Sequence, residues 1–116
     1  MIRIILVAAA GVALVIPALA ESMQMGKPMG DQGRSSHAFA EANAKMHKDM
    51  MIRYSGDADK DFVRVMIPHH QGASDMAEVE LKYGKDPELR KIAEHIIKMQ
   101  EKEISDFQSW LKTHGK

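Results

Sequence analysis

The chain has 116 residues, with 16 Lys plus Arg balanced by 16 Asp plus Glu, six His and no Cys. That balance excludes a surface built for nucleic acid or anionic lipid, and the missing cysteines exclude disulfides and thiolate ligands. Ten methionines beside the six histidines are the anomaly, because thioether and imidazole are the donors that soft and borderline metal ions prefer.

Residues 1–20 have the layout of a cleavable secretory signal peptide. Arg3 supplies the positive start, Ile4 to Ile16 carry no charged or strongly polar side chain, and Ala18-Leu19-Ala20 is a small-x-small cleavage signature before Glu21. The apolar run falls short of the ~20 residues a spanning helix needs, and Pro17 interrupts it. Cleavage after Ala20 is therefore expected, with release to the periplasm or beyond and no stable membrane association. Loss of the leader removes Arg3, leaves a net charge of roughly −1 and keeps every methionine except Met1. What remains suffices for one domain with a modest core.

Residues 21–35 hold three Gly, one Pro and no apolar periodicity, the composition of a flexible lead-in. Its Met23, Met25 and Met29 have no core to pack into. From Ser36, a favourable N-cap, apolar residues recur at Phe39, Met46, Met50 and Tyr54, and the stripe ends at Ser55-Gly56. A second helix starts after Asp57 or Asp59, carries Phe62, Met66, Ala73, Ala77 and Leu81, and stops at Gly84. Pro68 lies inside it, where the missing N–H and the ring predict a kink or a break. Asp86-Pro87-Glu88 is a strong start signal for a third helix running to about Lys112, with Leu89, Ile92, Ala93, Ile96, Gln100, Ile104, Phe107 and Leu111 as its stripe. The expected class is all-α: an antiparallel helical bundle over residues 36–114, with three main helices and a proline-kinked second one. A fourth helix would come from a break at Pro68 or from a second subunit, as a homodimer.

Short turns let heights be matched, since residues equally far from a turn lie opposite one another at 1.5 Å per residue. About the turn at 84–86, His70 faces Gln100, and Met66 or Ile67 faces Glu103 and Ile104. A turn near residue 56 would set Met66 against Met46 and His69 against Asn43. One layer then collects Asn43, Met46, His47, Met66, His69, His70, Gln100 and Glu103. By the 100° helical step, His69 and His70 flank the stripe of the second helix, and Gln100 and Glu103 point inward from the third. Buried polar groups left unpaired cost about 1–3 kcal/mol each, so such a layer requires mutual hydrogen bonds, water or a metal. Three pairs at i, i+4 spacing add to the pattern: Met66 with His70, His95 with Met99, and His47 with Met51. Core filler is the plainer account of Met46, Met50 and Met76, and a solvated face that of His95 and Met99.

The run Asp61-Phe62-Val63-Arg64-Val65-Met66-Ile67-Pro68-His69-His70-Gln71-Gly72-Ala73, followed by Met76-Ala77, Gly84 to Leu89, Gln100, Glu103-Ile104 and Trp110-Leu111, resembles the CopM-type family, also known as domain of unknown function 305. The resemblance covers roughly residues 59–111. It implies a ferritin-like helical bundle, export to the periplasm or cell surface, and copper binding through Met and His, with Met66, His69, His70, Met76, Gln100 and Glu103 as the carried-over positions. Phe107 stands where such sequences often have another Met.

The leading expectation is an exported protein that sequesters or hands on Cu(I) or Ag(I) and contributes to metal tolerance. Met66, His69 and His70 would hold the ion, Met46, His47, Met50 and Met76 would complete or duplicate the site, and Gln100 and Glu103 would orient the imidazoles. Met23, Met25 and Met29 would capture ions first, and a copper chaperone or efflux component is a partner that such a role admits. Two alternatives stand beside it. A ferritin-like di-iron oxidoreductase would need Glu-x-x-His motifs, which the sequence lacks. A metal-free interaction module would use the polar layer only to fix helix register.

Overall fold

The computed structural model describes residues 26–115; the segment expected to be a signal peptide, Met23 and Met25 lie outside that range. Three helices, α1 (Arg34–Met50), α2 (Ala58–Tyr83) and α3 (Pro87–His114), make up the fold, and no strand occurs among the described residues. The molecule is all-α, as the periodicity predicts. α2 packs on both neighbours, whereas α1 and α3 do not pack on one another, so the helices form an antiparallel bundle laid out as a single layer.

Two of the three helix starts follow from local chemistry. The Asp57 carboxylate accepts from the amides of Asp59 and Lys60 at 3.0 and 3.2 Å, and Asp86 accepts from the Leu89 amide at 2.9 Å with Pro87 in the first helical position. Arg90 closes the α2–α3 turn, donating to the carbonyls of Leu81 and Gly84 at 2.7 and 3.1 Å. The start of α1 departs from expectation. Gly33, not Ser36, holds the cap position and offers no side chain to it. The carboxylate of Asp31 takes the Gly33 amide at 2.9 Å and the Ser36 hydroxyl at 2.7 Å instead, which draws Ser36 into the first turn.

The end of α1 also differs from the predicted one. The helix stops at Met50 rather than near Ser55, leaving residues 51–57 as a connection. Asp61 holds the connection: its carboxylate accepts from the amides of Ser55 and Gly56 at 2.9 and 3.2 Å and from the Ser55 hydroxyl at 2.8 Å. Gly56 has φ of +87°, a conformation that ends regular helix and favours glycine. Met51 and Tyr54 consequently stand in solvent.

α2 runs unbroken through Pro68. Pro68 therefore supplies no fourth helix by a break, although its ring still denies the Arg64 carbonyl a backbone partner. The α2–α3 register agrees with the predicted one. Ala73 lines a groove with Ile96, Ala77 with Ala93, and Glu80 with Leu89; toward the other end the Phe62 and Phe107 rings meet edge to face at 5.7 Å. Between α1 and α2 the register is shifted. Met46 lies against Gly72, not Met66, because the seven-residue connection moves the axis of the turn toward α2.

Small residues form the buried apolar contacts: Ala42, Val63, Ala77 and Ala93, with no large side chain fully buried among the described residues. Such residues let helices approach closely but contribute little buried area. The polar residues His70 and Ser74 are buried with them.

Candidate functional site

His70 is the organising residue. It is only 6% exposed, on the side of α2 that meets α3. There its Nε2 pairs with the Glu103 carboxylate, and its ring lies edge-on to Phe107 with centroids 5.3 Å apart. The other ring nitrogen, Nδ1, is buried without a partner, as are the Ser74 hydroxyl and the Gln100 carbonyl oxygen. Ser74 follows His70 by one turn, about 6 Å along α2, and by register Gln100 stands opposite His70, so the three orphaned atoms fall within about one turn of the bundle's length.

The pairing has a chemical consequence. A carboxylate accepts only, so Nε2 carries the proton that the two share, and in neutral His70 the remaining nitrogen keeps a free lone pair. A carboxylate that orients an imidazole in this way, leaving the opposite nitrogen open, is the arrangement used to present histidine to a metal. Spacing sets Gln100 opposite His70 and Glu103 opposite Met66 or Ile67; the structure pairs Glu103 with the imidazole.

Other expected members of the layer are dispersed. His69 is exposed rather than inward, its ring 6.0 Å from that of His70. Adjacent helical residues diverge by about 100°, and with His70 turned to α3, His69 falls on the flank of α2 that neither neighbour covers. The α1–α2 register carries Met46 away to Gly72. His47 is exposed and Met50 half-buried at the end of α1, and Asn43 is exposed. Met76 lines the apolar groove on the turn side of the layer, with Ala73, Leu89 and Ile96. Met66 is half-buried one turn before His70 and remains the thioether closest to it in helical spacing. His95 and Met99 lie on the exposed side of α3, and Met29 is fully exposed.

Two members of the level were not foreseen. Ser74 carries the i, i+4 relation to His70 that drew attention to Met66, but a lone serine in an apolar stripe gives little signal. Phe107 enters the sequence reading as part of the third helix's stripe, where similar sequences often have Met, and its ring lies against both His70 and Phe62. Among the described residues no three of His, Asp or Glu gather into a metal-holding group.

The charged side chains elsewhere form ordinary surface pairs, Lys45 with Asp49 at 2.6 Å and Lys102 with Asp106 at 2.8 Å, both at i, i+4 and open to solvent. No described helix is long and apolar enough to cross a membrane.

A comparison with functionally curated proteins gives no match. The family model of a domain of unknown function, DUF305, matches residues 15–111, which include all three helices except the last three residues of α3. On that match the chain belongs to the DUF305 family.

Proposed function

We propose that this protein is an exported copper-binding protein that holds Cu(I) through His70 and neighbouring methionine sulfur. The observation that carries the reading is the Nδ1 of His70, buried and unpartnered while Glu103 fixes the opposite nitrogen. Met66, one helical turn away, is the first sulfur donor, and Gln100, opposite His70 by register, and Ser74, one turn further along α2, supply polar atoms. Thioethers suit Cu(I) and, unlike paired thiols, form no disulfides in an oxidising compartment. The similarity of the Met66-to-Gln71 run to the CopM-type family and the leader-like residues 1–20 support the same reading. His69 and Met99, on the open flanks of α2 and α3, are placed to pass an ion inward rather than to hold it at depth.

The test is an anaerobic Cu(I) titration of the purified protein against a competing chromophoric chelator, with His70→Ala and Met66→Ala beside it and helicity monitored throughout. The reading requires that the wild type withdraw copper from the chelator and that both folded variants withdraw less. A wild type that leaves the chelator fully loaded refutes it. Mass analysis of the protein recovered from a bacterial host tests export, with Glu21 as the expected first residue.

A second reading rests on one specific observation. His70 already has a partner in Glu103, and an ion pair between helices can serve to fix their register without any metal. In that case His70→Ala would lower stability while copper retention stayed at the wild-type level.

A further inference from the structure

The three-helix layer has two unlike sides. On one, α2 presents Phe62, Met66, His69, Ala73, Met76 and Glu80 by helical spacing, beside Leu89, Ile92, Ile96, Met99, Glu103 and Phe107 of α3. On the other lie Arg64, Gln71, Glu78, Lys82 and Glu101. The first side is open although it is largely apolar: Phe62 is 55% exposed, Leu89 52% and Ile92 48%, with Phe39 of α1 and Met99 also exposed. At typical large side-chain areas these five leave on the order of 500 Å² uncovered, a large part of the ~800 Å² per partner that a standard interface buries. Half-buried Met66, Met76 and Ile96 extend the patch.

Its layout is self-complementary. An apolar groove of 390 Å³ lies at the turn end, between Ala73–Glu80 and Leu89–Ile96. A second groove of 480 Å³ lies at the far end, lined by Phe62, Val63, Phe107 and Trp110 with Asp59 and Asp106 at its edge. The level of His69 and Glu103 separates them. A two-fold axis through that level lays apolar halves on apolar halves and brings the imidazole of one copy toward the carboxylate of the other, as an isologous contact demands. The absence of Lys and Arg from the named residues of this side disfavours an anionic lipid surface as its occupant. Within one chain the buried apolar side chains are Val63 and three alanines, a core that gains most from closure by a like layer.

We infer that a second copy of this chain covers the α2–α3 face, making a two-fold dimer with His69 and Glu103 at its centre. The inference does not depend on copper binding. Because the chain has no cysteine, single cysteines report the contact directly. His69→Cys lies at the level of the proposed two-fold axis, where the two copies bring it closest to itself, and Glu101→Cys, at nearly the same height on α3, lies on the opposite side of the layer. Each is expressed from the full sequence, purified as the host leaves it and treated with a short bis-maleimide at micromolar concentration. Sedimentation equilibrium of the unmodified protein runs in parallel. His69→Cys is expected to yield a covalent dimer and Glu101→Cys to remain single, with the wild type sedimenting at twice the chain mass. Ile92→Glu is expected to sediment at the single-chain mass. A wild type of single-chain mass, or equal cross-linking at the two positions, overturns the inference. Should Ile92→Glu fail to fold, the two cysteine variants still decide it.

Discussion

The side chain of Met46 lies across the bare backbone of Gly72: a β-carbon at position 72 would stand 2.5 Å from the Met46 sulfur and 2.8 Å from its Cβ. This approach sets the height at which α1 meets α2. Replacing an interior helical glycine by alanine ordinarily gains about 1 kcal/mol, whereas overpacking costs about 1–3 kcal/mol. The contact reaches the Met46 Cβ, which cannot swing aside, so overpacking wins here. Gly72→Ala is predicted to lose about 1–2 kcal/mol in urea unfolding. Met46→Ala/Gly72→Ala should be more stable than the two single effects added together. A Gly72→Ala protein as stable as the wild type would show that the two helices do not meet at this height.

Removing Glu103 leaves the buried Nε2 of His70 without its partner. The Glu103 side chain is 47% exposed, so water can partly replace it, which puts the cost of Glu103→Ala near the low end of the range, about 1 kcal/mol. His70→Leu/Glu103→Ala should recover part of that loss, since no orphaned imidazole remains. Chemical denaturation of the double-mutant cycle measures both effects; a fully additive cycle would deny the coupling.

Phe107→Met would place a thioether where the ring now touches His70 and Phe62. Two edge-to-face contacts disappear, each worth about 0.5–1.5 kcal/mol, so the variant should be less stable by about 1–2 kcal/mol. If His70 holds copper, the added sulfur should tighten Cu(I) retention by about tenfold, equivalent to ~1.4 kcal/mol. Stability and chelator competition should therefore move in opposite directions. A loss in both would place the ion away from Phe107.

Asp61 carries a pH signature. Hydrogen bonds from the Ser55 amide first, and then from the Ser55 hydroxyl and the Gly56 amide, hold its carboxyl below the ordinary value of 3.8. A carboxyl depressed in the folded state stabilises above its unfolded value, and the contribution is lost as pH falls through the folded one. Asp61→Asn should accordingly melt below the wild type at pH 7. The gap between the two should shrink steadily below pH 3.8, as thermal melts across the acid range would record. A gap independent of pH would mean that the turn does not depend on the carboxylate's charge.

The parts legible in the sequence were those fixed by local chemistry. Asp57 and Asp86-Pro87 mark helix starts without reference to the rest of the molecule, and the short 84–86 turn leaves little freedom in the α2–α3 register; spacing sets Gln100 opposite His70 and Glu103 about a turn away, and the carboxylate of Glu103 reaches back to the imidazole. The α1–α2 register could not be read from spacing. It depends on the non-helical path from Met51 to Asp57, which the apolar stripe does not announce and which the Asp61 carboxylate, beyond the turn, holds at Ser55 and Gly56. His69 was misplaced for a related reason: the wheel gives its angle on α2 correctly, but whether that flank is covered depends on a helix the single chain does not provide.

The layered arrangement also governs how the molecule can come apart. Because α1 and α3 do not pack on one another, α1 can swing away from α2 without disturbing the pair of His70 and Glu103. Such a motion would lift Met46 from Gly72 and offer a further sulfur to solvent. Slower amide exchange in α2 and α3 than in α1 is the expected trace of such a motion.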